Sequence, residues 1–317
     1  MANRNTLEEL RGKNVFIAGS EKNAGKTTFL NYALHLLYGE SHGGHGIAGI
    51  MSIGIDGEET DGIFGNPKPR VTVEKDSLFI CTECALACGS LEYEIINVYP
   101  FSTAIGRPVL ARALRRGEIE ISGPENNSQL AMLIADMRTA GAETVFIDGA
   151  ADRLTHSGTA DQSVLAYVAR VAPDNFSSAV ERIKIISAAS ECPLYLPESM
   201  EDDGPDSSHI VRIEGALTET KAGKITAAST HPAAAPAIPD SVPSAAAKPV
   251  LVADSPASVF LSWLSWRRLA SAFSIHFLHK NTSTILIINL YNIDKADFEK
   301  KFTSAGNCRV LYNPYIS

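Results

Sequence analysis

The stretch "GSEKNAGKTT", residues 19–28, constrains the fold of this chain more than any other. It follows the apolar run "NVFIA" (14–18) and leads into "KTTFLNYALHLLYGE" (26–40). In the latter, Phe29, Leu30, Ala33, Leu34 and Leu37 recur at three- and four-residue spacing, which predicts a helix with one apolar stripe. Strand, glycine-bearing loop and helix in succession make a cradle for phosphate. Such a cradle needs backbone N–H groups curled inward and a helix N-terminus aimed at the anion. It also needs a lysine for the β- and γ-phosphates and a hydroxyl for Mg²⁺. Gly25, Lys26 and Thr27 supply the last of these in the right order. The competing reading is a glycine turn between a strand and a helix that happens to contain a lysine; the agreement of motif and context favours the phosphate loop.

The spacing departs from the commonest version. The pattern G-x-x-x-x-G-K-[ST] places its first glycine at position 20, where this chain has Ser20; the glycine stands one residue earlier, at Gly19. The predicted phosphate contacts are therefore Gly19, Ser20, Lys22, Asn23, Ala24, Gly25, Lys26, Thr27 and Thr28. A nucleotide site also needs carboxylate for Mg²⁺. "TVFIDGAADR" (144–153) ends a predicted buried strand at Asp148, at the end where ligands bind in open α/β sheets. A second acidic cluster, "SIGIDGEETDG" (52–62), follows another predicted strand, with Asp56 the first candidate and Glu58 and Asp61 behind it. Thr27, Asp56 and Asp148 are the expected metal ligands, and Lys26 and Asp148 the expected catalytic pair. An aspartate that merely ends a strand in a turn, or a solvated acidic loop, is the plain alternative for each carboxylate.

Predicted strands and helices alternate along the first 224 residues. The strands include 13–19, 46–54 and 142–150; the helices include 26–40, 107–117, 127–141 and 172–190. This order predicts an α/β fold with a mostly parallel sheet and helices on both faces. "TAASTHPAAAPAIPDSVPSAAAKP" (226–249) is rich in Ala, Pro and Ser and has almost no large apolar side chains, so residues 225–249 read as a flexible linker or insertion. A small α/β segment is expected over 250–317, with Asp254 or Ser255 capping a helix that has Pro256 at its first position.

The 317-residue chain has a net charge of −8 and no long basic tract, which argues against nucleic acid as its main partner. "MANRNTLEELRGKN" has no apolar core of a signal peptide, and "SVFLSWLSWRRLASAFSIHFL" (258–278) is interrupted by Arg267 and Arg268, so neither a leader nor a membrane span is expected. Five cysteines in such a chain fit a reducing cytoplasm. Cys81, Cys84 and Cys88 form C-x-x-C-x-x-x-C, a spacing seen in thiolate metal sites, yet no fourth ligand stands at a matching distance.

The loop "GSEKNAGKT" resembles that of dethiobiotin synthetases, G-T-D-x-x-x-G-K-T, in a P-loop NTPase class that also holds MinD-like ATPases. Members of that class often carry an extra lysine near the start of the loop; Lys22 is one residue later than the usual place. A narrower resemblance rests on "MSIGIDGEETD", "NPKPRVTVEKDSLFICT", "RPVLARALRRGEIEISGP", "VFIDGAADRLTHSG" and "VRIEGALTE" in this order. Together these resemble the smaller, ATP-binding subunit of the reactivating factor for lysine 5,6-aminomutase, over most of 13–220 and more loosely over 250–317. The resemblance implies ATP and Mg²⁺ as ligands, and a second reactivase subunit and the adenosylcobalamin-dependent mutase as partners. It implies an ATPase whose work is exchange of damaged cofactor. An ATP-dependent ligase acting on a small molecule, or a nucleotide-binding scaffold without hydrolysis, remains open at this level.

Overall fold

The structure, a computed structural model, describes residues 2–39, 45–53, 70–124, 126–149, 162–196, 210–230, 248–302 and 308–314. Along the chain, α1 (Ala2–Glu8) precedes β1 (Asn14–Gly19) and α2 (Lys26–Tyr38). β2 (Ala48–Ser52), β3 (Val71–Val73) and β4 (Leu78–Thr82) follow, then α3 (Glu83–Cys88), β5 (Tyr93–Val98), β6 (Pro108–Ala113) and β7 (Gly117–Ile119). α4 (Asn127–Thr139) leads to β8 (Thr144–Asp148) and β9 (Ser163–Val171). Next come α5 (Phe176–Glu191), β10 (Ile210–Arg212), β11 (Leu217–Thr218), α6 (Glu219–Thr230), β12 (Val250–Ala253), β13 (Val259–Phe260), α7 (Trp263–Ala272) and β14 (Ser274–Phe277). β15 (Ser283–Leu290), α8 (Lys295–Lys301) and β16 (Arg309–Tyr312) complete the order.

The chain divides into two compact units. The first comprises Met1–Asp174, Asn281–Lys295 and Cys308–Ser317; the second comprises Asn175–Lys280 and Ala296–Asn307. The first is an α/β unit around a nine-stranded sheet in the order β16-β15-β9-β1-β8-β2-β4-β6-β5. Every neighbouring pair from β16 to β4 is parallel, and β6 alone runs against its neighbours β4 and β5.

Helices cover both faces, as the alternation of strand side chains shows. Val15, Ile17, Ile50 and Phe146 join one core cluster with Phe29, Leu30, Ala33, Leu34 and Leu37 of α2. Between Ala48 and Ile50, Gly49 faces the other way, where a Cβ would meet Met137 of α4 at 2.9 Å. The stripe expected on α2 is thus the face it buries. Burial of a Phe or Leu side chain stabilises by about 1.5–3 kcal/mol, so packing rather than helix propensity holds α2 to the sheet.

Two parts of this sheet differ from the sequence expectation. The helix expected at 107–117 is instead the strand β6, with Val109, Ala111 and Ala113 in the α2-side core and β4 and β5 on its flanks. Tertiary pairing overrides the helix propensity of Ala, Leu and Arg there. The segment expected as a separate C-terminal piece, 250–317, is divided. β15 and β16 extend the nine-stranded sheet, β15 pairing with β9 over Ser283–Leu290, and most of the remainder lies in the second unit. The expected linker begins inside α6, and residues 231–247 lie outside the described residues.

The second unit has a parallel three-stranded sheet, β10-β12-β14, and its own core of Ile185, Ala189, Leu251, Ala253, Trp266, Leu269 and Phe277. Ser255 caps a single 3₁₀ turn at Pro256–Ser258 rather than a longer helix, and α7 starts later, capped by Ser262. Among the described residues no helix is long and apolar enough to cross a membrane.

Candidate functional site

β1 ends at Gly19 and α2 begins at Lys26, so the six residues between them form a loop at the C-terminal end of a strand with parallel neighbours on both sides. Ser20 N–H donates to the Val168 carbonyl at 2.9 Å, and the Ser20 hydroxyl accepts from Arg170 N–H at 3.3 Å. Arg170 also pairs with Glu21 at 3.4 Å. The entry to the loop is therefore tied to β9. Lys22 and Asn23 are exposed at its tip, where Asn23 takes a left-handed φ of 63°.

Gly25 ends the loop with φ 101° and ψ 21°, a left-handed conformation that L side chains adopt rarely, and it is the N-cap of α2. No side chain caps this 13-residue helix and its first turn carries no acidic residue. The first N–H groups of a helix have no partner within it, and their partial positive charge favours an anion. Lys26 and Thr27 are half-buried and Thr28 is exposed.

The displaced glycine has a structural reason. A Cβ built at Gly19 would lie 3.0 Å from both Cγ and Cδ of Lys26 and 3.1 Å from its Nζ. The lysine arm folds back over the end of β1 and rests on the Cα of residue 19. A side chain there would push it away, whereas residue 20 is anchored to β9 through its own hydroxyl.

Asp148 reaches the same place from β8. The parallel register sets Asp148 beside Ile17, and alternation from Phe146 puts its side chain on the α2 face of the sheet. Thr27 Oγ1 donates to Asp148 Oδ2 at 3.4 Å. Oδ1 is enclosed and has no hydrogen-bond partner. Burial holds the Asp148 carboxyl above the ordinary carboxylate range, against the opposing pull of Lys26, the Gly149 N–H and the Thr27 hydroxyl. A carboxylate with one enclosed oxygen left without a partner can accept a further positive one.

The loop also depends on a residue absent from the sequence-based set. Asn289, near the end of β15, is 1% exposed and donates from Nδ2 to the Ala24 carbonyl at 2.8 Å. Ala24 itself is fully buried, so this bond fixes the loop from below, while Asn289 Oδ1 has no partner. The only sequence signal was a polar residue inside the apolar run "ILIINL".

The structure thus brings together Gly19, Ser20, Ala24, Gly25, Lys26, Thr27 and Asp148, with Lys22, Asn23 and Thr28 on the outer rim. Asp56, Glu58 and Asp61 lie outside the described residues. Cys81 is buried in β4, where burial pushes its thiol pKa up to about 12, while Cys84 and Cys88 are exposed on α3. Among the described residues no cluster of His, Cys, Asp and Glu is arranged to hold a metal ion. Comparison with protein-family models, curated proteins and solved structures finds no match.

Proposed function

We propose that residues 19–28 form the P-loop of a P-loop NTPase fold that binds ATP with Mg²⁺. The observation that carries this reading is one constellation: Lys26 laid back over Gly19, an uncapped helix N-terminus, and Thr27 against a half-buried Asp148 with one enclosed, unpartnered oxygen. Lys26 offers a point charge to the β- and γ-phosphates, and the first N–H groups of α2 face the same anion. Asp148 and Thr27 fit Mg²⁺, a hard cation that takes oxygen ligands and keeps several waters. When bound, that ion neutralises charge on the phosphate oxygens. Thr27 would turn its hydroxyl lone pair to the ion, and Asp148 would stay ionised beside it. Asp56 is proposed as a further ligand from the second acidic segment.

The resemblance narrows this to a role. We infer an ATPase subunit of the reactivating factor for lysine 5,6-aminomutase, working in the cytoplasm with a second subunit. In such a system bound nucleotide changes affinity for the inactive mutase, so that damaged cobalamin leaves and intact cofactor enters. A nucleotide shifts such an equilibrium only by its differential affinity for two states. The test uses mutase inactivated by turnover. Activity should return when this protein, its partner subunit, ATP, Mg²⁺ and fresh adenosylcobalamin are added, and should not return with Lys26→Ala. Equal recovery without ATP, or ATP-dependent turnover of a small carboxylic acid by this protein alone, would sink the reactivase reading.

A further inference from the structure

The nine-stranded sheet ends in two unlike edges. At one, β16 begins with Arg309, which is paired with Glu9, and Lys295 lies 4.6 Å over the ring of Tyr312. Charged side chains of this kind blunt a strand edge. At the other edge is β5, "YEIINV", whose outer side has no neighbouring strand among the described residues. β5 carries no Lys and no Pro. Five of the eleven large apolar side chains exposed among the described residues fall between Tyr93 and Leu114: Ile95 (52%), Ile96 (38%), Val98 (41%), Ile105 (43%) and Leu114 (48%).

A bulge sorts the faces of this strand. Tyr93, Ile95 and Val98 pair with Ala113, Ala111 and Val109, whereas Glu94 and Asn97 pair with Arg112 and Leu110, and Ile96 is the extra residue. Ala113, Ala111 and Val109 point into the α2-side core. Tyr93, Ile95 and Val98 therefore share that face, and Glu94 and Asn97 share the other. Without the bulge, Asn97 rather than Val98 would join the apolar stripe. The resulting order of faces, leaving out Ile96, is a palindrome centred on Ile95.

We propose that β5 pairs antiparallel with β5 of a second copy of this chain, about a two-fold axis through Ile95 and perpendicular to the sheet. That axis keeps each face on its own side. Tyr93 then lies opposite the partner subunit's Val98, an aromatic against a β-branched side chain, and Ile95 opposite the partner subunit's Ile95. Glu94 lies opposite the partner subunit's Asn97, so the acid meets an amide rather than another acid. Slipping the register by one residue sets apolar side chains against Glu94 and Asn97. The main-chain hydrogen bonds of an open edge supply the attraction, and this cross-strand match supplies the register. The end of the hairpin carrying Leu114 comes beside the partner subunit's end carrying Ile105, which brings these two exposed apolar side chains together as well. Two-fold, self-complementary contacts are the commonest route to oligomers. β5 lies five strands from β1 in the sheet order, so the contact leaves the loop at Gly19 untouched.

Sedimentation velocity of the full chain tests this. The wild-type chain should sediment as a dimer, and Ile95→Lys as a monomer at the same concentration, with its circular dichroism unchanged. Met132→Lys, which alters an apolar side chain of similar exposure to Ile96 on α4, should remain dimeric. Should Ile95→Lys fail to fold, Asn97→Glu serves instead. It sets two acids opposite one another at each of two equivalent places and should weaken the dimer, whereas Asn97→Gln should not. A monomeric wild type, or a dimer that survives both Ile95→Lys and Asn97→Glu, overturns the proposal. Neither result bears on ATP binding.

Discussion

Substituting Gly19 by alanine separates the role of Lys26 from that of the loop backbone. Gly19 is not among the residues with positive φ, so alanine brings no backbone strain. What it brings is a methyl group 3.0 Å from Lys26 Cγ and Cδ and 3.1 Å from Nζ, closer than ordinary van der Waals contact. The arm must yield by a few tenths of an ångström, which turns its side-chain torsions off their staggered minima. Such a displacement costs about 0.5–1.5 kcal/mol, a loss of about 2- to 12-fold in ATP affinity. Removing the ammonium altogether in Lys26→Ala costs about 1.5–3 kcal/mol, or about 10- to 150-fold, because a hydrogen bond to a charged group is lost. Titration calorimetry with Mg²⁺ and ATP at fixed salt measures both. The decisive arm is the double variant. If Gly19 acts only through Lys26, adding Gly19→Ala to Lys26→Ala changes nothing further, and the coupling energy equals the whole effect of Gly19→Ala. An equal loss in both backgrounds would show that residue 19 works through the backbone, and the account of the displaced glycine would be wrong.

Asp148→Asn should have opposite effects on stability and function. With its folded-state pKa raised, Asp148 binds more protons in the fold than in the unfolded chain, so stability falls as pH rises from the ordinary carboxylate range through the raised value. Asparagine removes that penalty, and Tm of the nucleotide-free protein at neutral pH, in the presence of a chelator, should rise while ATP hydrolysis falls; a lower Tm together with intact hydrolysis would contradict the buried-anion reading. Asn289→Ala leaves the Ala24 carbonyl without its partner and should cost about 1–3 kcal/mol in urea unfolding, with weaker ATP binding on the same protein.

The part of the site confined to one stretch of chain was legible in the sequence. Residues 14–40 specify strand, loop and helix by local pattern, and Gly25 occupies the left-handed position that only a residue like glycine fills easily. What escaped is what depends on neighbours. β9, "SVLAYVARV", lies between β1 and β15 and is buried along nearly all its length, so it shows no two-residue alternation to distinguish it from any other apolar run. β6 was misread because Pro108 followed by Val, Leu, Ala and Arg suits the first turns of a helix. Only antiparallel pairing on both flanks makes it a strand.

The chemistry of the site arises from long-range register rather than from the loop itself. Thr27 and Asp148 are 121 residues apart and meet because β1 and β8 are adjacent with Ile17 beside Asp148. Ala24 and Asn289 are 265 residues apart and meet because β15 is added to the sheet beyond β9. A shift of β8 by one residue would turn the Asp148 carboxylate to the α4 face and leave Thr27 without an acid partner. The near-continuous burial of β1, β8 and β9 makes such a shift costly, because each strand packs apolar side chains on both faces. The core of the sheet therefore sets the position of the Asp148 carboxylate, and the loop of small residues sets the position of the lysine and the helix N-terminus. Each is needed, and neither can be read from the other.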